Sequence, residues 1–154
     1  ALVLSRQGLP VLGQKTPPDV ARGAYVLSDA DSGEPEVLLI ATGSEVSLSL
    51  EAQKILASKK IKARVVSMPS LELFEKQPKE YRETVLPKKV QARVVVEAGV
   101  SHGWHKYAGG KGRLVCRDDF CVSAPFKVLV EKFGFTADRL ADEAIKSIED
   151  AGKK

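Results

Sequence analysis

The pentapeptide Ala41-Thr42-Gly43-Ser44-Glu45 decides the fold of this chain. It stands between a short apolar run, residues 36–40, and an amphipathic segment, residues 46–57. The glycine suits a tight turn, the serine is favoured at a helix N-cap, and the glutamate places negative charge at the positive end of a helix. A buried strand, a turn and a helix in this order form the repeating unit of a parallel sheet.

The same rhythm of strand and helix continues along the chain. Residues 71–86 are predicted to form two helical pieces broken at Pro78, one helix follows Pro125 and ends at Gly134, and Thr136 caps a last helix. Short runs that contain valine and other apolar residues predict further strands at residues 21–27, 62–67, 91–96 and 113–116.

One of these strands is expected to run against the others. Residues 21–27 are joined to residues 37–40 by a short connection rich in turn-forming residues, so we expect these two strands to pair antiparallel. We therefore predict an α/β fold: a three-layer α/β/α sandwich whose five-stranded sheet is mostly parallel, with one antiparallel edge strand.

The composition argues against several classes of protein. The 24 basic and 20 acidic side chains are interspersed over 154 residues, whereas a nucleic-acid-binding surface concentrates basic residues. No apolar run is long enough to span a membrane. Two cysteines, Cys116 and Cys121, are too few for a secreted disulfide scaffold, and no signal peptide precedes them, so we interpret them as cytosolic thiols. The chain opens Ala1-Leu-Val-Leu4 without an initiator methionine, which suggests a piece of a longer polypeptide.

Common catalytic motifs are absent from the sequence. It contains no phosphate-binding loop, no dinucleotide fingerprint, no nucleophile elbow, and no Gly-Asp pair with which a thiamine diphosphate–metal motif could begin. His102 and His105 could nominally join Cys116 and Cys121 in a zinc site, but the cysteine spacing is loose for zinc. We predict no metal site and no catalytic residue.

Three places remain as candidates for binding. Arg6 follows an apolar strand, where a guanidinium could grip a phosphate or carboxylate, or equally form a structural salt bridge. Glu97 follows the strand at residues 91–96, where it could act as a base or simply accept hydrogen bonds from a loop. Gly43 and Ser44 form a candidate small-anion site at a helix start, although the charge of Glu45 opposes an anion.

Seven segments follow one another along the chain: Leu4-Ser5-Arg6-Gln7, Arg22-Gly23-Ala24-Tyr25, Ala41-Thr42-Gly43-Ser44-Glu45, Arg64-Val65-Val66-Ser67-Met68-Pro69-Ser70, Glu97-Ala98-Gly99, Trp104 with Lys106-Tyr107, and Ser123-Ala124-Pro125. Together and in this order they resemble the C-terminal part of transketolase. Gly8 and Cys121 depart from the family, which often has asparagine and glycine at these places. Ser-Arg-Gln favours transketolase over related thiamine enzymes.

The resemblance implies a parent enzyme that transfers a two-carbon ketol unit between sugar phosphates, with thiamine diphosphate and Mg²⁺ or Ca²⁺ bound by earlier domains. It implies a cytoplasmic homodimer in which Arg6 holds the sugar's terminal phosphate. Residues 1–23 would end the preceding pyrimidine-binding domain and form the linker. Residues 24–154 would be the third domain, structural or regulatory and inert alone, with the other domains as partners.

Two alternatives stay open from the sequence. The chain could be a stand-alone α/β module that binds a small anion or a nucleotide at Gly43 and Ser44 or near Glu97. It could also be one subunit of a split thiamine enzyme whose other domains lie on a separate chain.

Overall fold

The computed structural model describes residues 8–12, 18–120 and 122–153. In this part of the chain a 3₁₀ helix, Pro18–Arg22, precedes five strands and six α-helices. The strands are β1 (Tyr25–Ser28), β2 (Val37–Ala41), β3 (Ala63–Ser67), β4 (Arg93–Val96) and β5 (Arg113–Val115). The helices are α1 (Glu45–Ser58), α2 (Leu71–Glu75), α3 (Lys79–Val85), α4 (His105–Ala108), α5 (Phe126–Phe133) and α6 (Ala137–Gly152).

The sheet has the strand order β1-β3-β2-β4-β5. Strands β3, β2, β4 and β5 are parallel, and β1 pairs antiparallel with β3. Every residue of β2 is buried, as is expected of the central strand of a sheet covered on both faces. The predicted mostly parallel sheet with one antiparallel edge strand is therefore confirmed.

The predicted pairing of the antiparallel strand is wrong. We expected β1 to pair with β2, its neighbour in sequence. Both edges of β2 instead pair with parallel strands, Leu38 lying beside Arg64 of β3 and beside Arg93 of β4. Because no edge of β2 is left free, β1 crosses over and pairs with the outer edge of β3, where Tyr25 lies opposite Ser67.

Two apolar cores cover the two faces of the sheet. On one face Leu39 and Val94 pack with Leu56 of α1 and Leu140 of α6. On the other face Ile40, Val66 and Val95 belong to a core that includes Phe74, Val85 and Trp104, which lie in or beside α2, α3 and α4. Side chains of one strand alternate between these cores because successive residues point to opposite faces. The three-layer α/β/α prediction is confirmed.

Most predicted helices are also confirmed. Pro78 separates α2 from α3, and Gly134 ends α5 in a left-handed conformation. The Thr136 hydroxyl accepts a hydrogen bond from the Arg139 amide, which caps α6. The sequence did not indicate α4, a single turn. No helix in the described ranges combines the length and the apolar character that a membrane span needs.

Candidate functional site

The turn after β2 lies at the edge of the sheet where the parallel strands end. Gly43 takes a φ of 56°, a left-handed conformation that suits glycine. The Glu45 amide donates to the Thr42 carbonyl at 3.3 Å, and the Val46 amide donates to the Gly43 carbonyl at 3.4 Å. These two amides at the start of α1 are therefore already used by the turn.

Ser44 precedes α1, but its side chain does not cap the helix. Its backbone is already helical, with φ −65° and ψ −27°, so the hydroxyl does not lie over the free amides of the first turn. The hydroxyl donates instead to the Glu45 carboxylate at 2.6 Å. The side-chain cap expected from the sequence is not formed.

The electrostatics of this edge oppose an anion. Burial raises the pKa of Glu97, and the nearby charge of Glu45 raises it further. Two carboxyl groups thus lie near the turn, and the Ser44 hydroxyl is bonded to one of them. The anion site at Gly43 and Ser44 stays a prediction, and the chemistry of its surroundings does not favour it.

Glu97 lies beyond the end of β4 and is half-buried. Its backbone amide donates to the Val115 carbonyl at 3.1 Å, which continues the pairing of β4 with β5. Its carboxylate accepts a hydrogen bond from the Gly99 amide at 2.9 Å. This geometry fits the simpler hypothesis from the sequence, that Glu97 accepts a hydrogen bond from the loop that follows it.

The histidines and cysteines do not form a described cluster. His102 and His105 are exposed, and Cys121 lies outside the described residues. Burial, with the charges of Asp118 and Glu97, raises the pKa of Cys116 to about 11, so its thiol is protonated and weakly nucleophilic at neutral pH. Within residues 8–12, 18–120 and 122–153 no three histidine, cysteine or acidic side chains are placed to hold a metal ion.

Arg6 also lies outside the described residues, and its role in binding a phosphate or carboxylate stays a prediction. Just after it, residues 8–12 are described, and Leu9 and Pro10 line a cavity of about 520 Å³. Helices α1 and α5 form the other sides of this cavity, through Leu48 and Leu129 among others. The sequence indicated an apolar face on α5 but not a cavity beside it.

A polar cluster beside α2, α3 and α4, on the other face of the sheet from the cavity, explains the motif that contains Lys106 and Tyr107. The Lys106 ammonium lies 2.6 Å from a Glu75 oxygen, the Arg82 guanidinium lies 3.0 Å from the same oxygen, and the Tyr107 hydroxyl donates to the other at 2.8 Å. The hydrogen bond from Lys106 is the main reason that the pKa of Glu75 is lowered. Lys106 and Tyr107 thus join α4 to α2 and α3, a contact that sequence spacing does not reveal.

Close backbone packing explains a second motif, Arg22-Gly23-Ala24-Tyr25. Gly23 takes a φ of 87°, and its carbonyl accepts a hydrogen bond from the Ser70 amide at 3.0 Å. A Cβ atom at Gly23 would lie only 2.4 Å from the Phe74 nitrogen and from the Ser70 oxygen. The Arg-Gly-Ala-Tyr segment and the start of α2 are therefore packed backbone to backbone.

Comparison with known proteins agrees with this architecture. The sequence model of the family described as "Transketolase-like TK C-terminal domain" matches residues 23–136. Transketolase from Mycobacterium tuberculosis is 51% identical over 152 residues, which cover 96% of this chain and 22% of that protein.

Solved structures of transketolases have the same fold. The enzyme from Leishmania mexicana superposes with a TM-score of 0.79 at 40% identity, covering 88% of this chain and 19% of that one. The enzyme from Pichia stipitis, in complex with sedoheptulose 7-phosphate, superposes with a TM-score of 0.84 at 34% identity, covering 94% of this chain and 20% of that one. The chain spans about a fifth of the length of the relatives it matches, and by its sequence and its fold it belongs to the transketolase C-terminal domain family.

Proposed function

We propose that this chain is the third domain of a longer polypeptide that acts as a transketolase. The observation that carries the proposal is the match to the Mycobacterium tuberculosis enzyme, which is 51% identical and covers 96% of this chain. In the proposed reaction a two-carbon ketol unit passes from a ketose phosphate to an aldose phosphate. The parent enzyme would be a cytoplasmic homodimer.

The described residues support a structural role for this domain. The motif residues described above make contacts within the fold: Gly23 packs on the start of α2, Lys106 and Tyr107 bind Glu75, and Glu97 accepts from its own loop. These groups are thus engaged within the domain itself. We infer that the domain holds its own shape and supports the catalytic domains of the parent.

The residues that the structure describes do not fit the cofactor of the proposed reaction. Thiamine diphosphate would need a metal to hold its phosphate groups, and no group of three metal-ligating side chains is found in the described ranges. The sequence also lacks the Gly-Asp pair of the metal motif. We therefore assign thiamine diphosphate and its Mg²⁺ or Ca²⁺ to the other domains of the parent, and we derive no chemical step from this chain.

Arg6 is the proposed substrate contact. On the resemblance of Ser5-Arg6-Gln7 to the family, its guanidinium binds the terminal phosphate of the sugar, and residues 1–23 close the preceding domain and form the linker. The family match begins at residue 23, which supports this boundary. A contact at the far end of a substrate assists the reaction by orienting the reacting end.

The test is the substitution Arg6→Ala in the full-length polypeptide, assayed for ketol transfer. Loss of a charge-assisted bidentate contact should raise the KM for phosphorylated donors about 10- to 100-fold. The KM for unphosphorylated hydroxypyruvate should change little. Lys54→Ala, which removes one exposed positive charge on α1, is the matched control and should leave both values unchanged. Equal effects of Arg6→Ala on both donors would refute the phosphate role, and a full-length protein without ketol transfer would refute the proposed function.

A further inference from the structure

A second cavity, of about 290 Å³, lies on the side of the sheet that α2, α3 and α4 cover. Phe74 and Leu86, both buried, contribute its apolar lining. Five basic side chains and two carboxylates also line it, which leaves an excess of three positive charges. We call it the α3–α4 cavity. Its basic side chains are Lys79, Arg82, Lys88, Arg93 and Lys106.

Two other polar cavities of the described residues are closer to neutral. One lies around Arg113 beside α6, and the other lies around Lys60 beside the end of α1. Three basic and two acidic side chains line each of them. A cleft lined by an excess of one charge concentrates ions of the opposite charge. Of these three cavities, the α3–α4 cavity therefore favours an anion most.

Arg93 supplies a charge that no described carboxylate balances. It is half-buried at the start of β4, and its guanidinium donates to the carbonyls of Val90, Tyr107 and Pro87 at 2.9, 3.0 and 3.0 Å. Burial lowers the pKa of Arg93, and no carboxylate among the described residues offsets that effect. Because a guanidinium stays charged at neutral pH, a fixed positive charge remains in the wall of the cavity.

Glu75 is shared by two of the other cations. The Lys106 ammonium and the Arg82 guanidinium lie 2.6 and 3.0 Å from the same carboxylate oxygen, so this trio keeps one positive charge in excess. The Arg82 Nε is buried and has no hydrogen-bond partner in the part of the chain that the structure describes. An unmet buried donor is costly, and the guanidinium can meet it by turning toward an acceptor in the cavity.

The size and the charge of the cavity limit what it can hold. Its volume is at the lower end of the range for small-molecule sites, so the ligand is small. A phosphate group carries up to two negative charges and three strong acceptor oxygens, which suit a guanidinium fork and an ammonium group together. A single carboxylate would balance less of the excess charge.

We propose that the α3–α4 cavity binds the phosphate group of a small metabolite. Arg82 and Lys106 are the contacts to the phosphate oxygens, while Arg93 acts through its charge and Lys79 lies at the exposed rim. The ligand is either free phosphate or a phosphate ester whose carbon skeleton lies against the apolar lining. The proposal concerns this chain alone and does not depend on ketol transfer.

Amide NMR spectra of the 154-residue chain, recorded at constant ionic strength, locate the binding. Glycerol 3-phosphate should cause saturable shifts at residues 79–88 and 105–108, and glycerol should cause none. Residues 126–133 of α5, on the other side of the sheet, are the internal control. Tighter binding of glycerol 3-phosphate than of inorganic phosphate would identify an ester, equal binding would identify free phosphate, and either supports the site. Absence of saturable shifts there, or shifts confined to residues 43–46, would overturn the proposal.

Charge variants test the contacts in both directions. Lys106→Gln should raise the Kd about tenfold by removing a charge-assisted contact. Glu83→Gln should lower the Kd about two- to fivefold, because it removes a rim carboxylate that lies 3.0 Å from the Lys88 ammonium. Lys127→Gln, the same charge change on exposed α5, should leave the Kd unchanged.

Tighter binding by Glu83→Gln is a result that a merely structural role of these residues does not produce. Should Lys106→Gln disturb the fold, Lys79→Gln on the exposed rim should still raise the Kd about two- to fivefold. Affinity that is unchanged in both lysine variants of the cavity would overturn the proposal.

Discussion

Replacing Gly23 by alanine tests the backbone packing that joins the segment before β1 to the start of α2. An added Cβ atom would meet the Phe74 nitrogen and the Ser70 oxygen at 2.4 Å and the Leu73 Cβ at 2.8 Å. Two of these atoms belong to the backbone, so no rotation of a side chain can relieve the contact. Either α2 moves away from the sheet or the chain bends at residue 23.

Two costs add in this variant. A left-handed φ costs an L-residue about 1–2 kcal/mol, and overpacking of a well-packed region costs about 1–3 kcal/mol. We therefore expect Gly23→Ala to lower the free energy of unfolding by about 2–5 kcal/mol. That is a large part of the stability of a domain of this size.

The chain offers a matched control for the first cost. Gly103 has the same φ of 87°, but an added Cβ there would meet its nearest atom, Leu71 Cδ1, at 3.9 Å, an ordinary contact. Gly103→Ala should therefore cost only about 1–2 kcal/mol. The effect of alanine on the unfolded chain is common to both variants and cancels in the difference.

Urea unfolding of the 154-residue chain and the two variants measures both losses. We expect Gly23→Ala to lose more stability than Gly103→Ala, with similar urea dependence. Equal losses would mean that α2 adjusts without cost, and the inference that the segment around Gly23 and the start of α2 are packed backbone to backbone would be wrong.

Two further predictions concern buried polar groups. Ser147 is fully buried, accepts a hydrogen bond from the Arg93 amide at 3.0 Å and donates one to the Lys111 carbonyl at 2.8 Å. Ser147→Ala should therefore lower the free energy of unfolding, measured in urea, by about 1–3 kcal/mol. Ser58→Ala, on the exposed end of α1, should cost little, and an equal loss in the two variants would contradict the role of burial. Because folding raises the pKa of Glu97 above 4.5, the folded chain holds this proton more tightly than the unfolded chain, and the contribution of Glu97 to stability should fall as the pH rises above 4.5. Glu97→Gln should remove this decline, gaining stability over the parent at neutral pH but not below pH 4.5; parallel pH profiles of the two proteins would contradict the raised pKa.

The sequence predicted the fold well where local pattern and global position agree. Buried runs such as β2 and β4 are rich in valine, leucine and isoleucine, and helices α5 and α6 have clear apolar periodicity, so these elements could be located and their class assigned. Pro78 and Gly134 marked helix boundaries because each residue disfavours helix continuation for a local reason.

Strand pairing could not be read in the same way. The connection between β1 and β2 is compatible with a hairpin, and only the presence of β3 and β4 on both sides of β2 excludes it. That competition depends on strands distant in sequence, so no local pattern reports it. Ser44 shows the same limit on a smaller scale: it is a favoured cap residue, but its hydroxyl bonds to the adjacent Glu45 once the backbone has turned helical.

The candidate site was less predictable, because motif residues reveal their partners only in three dimensions. Tyr107 and Glu75 are 32 residues apart, and Gly23 and Phe74 are farther still, yet each pair is in direct contact. Either motif could have been interpreted as binding chemistry from the sequence. The contacts instead use up these groups within the fold, whereas apolar side chains on α5 remain half-exposed. Among the exposed apolar side chains of the described residues, Leu9 and Phe126 lie together around one cavity, whereas the groups of both motifs are already engaged within the domain.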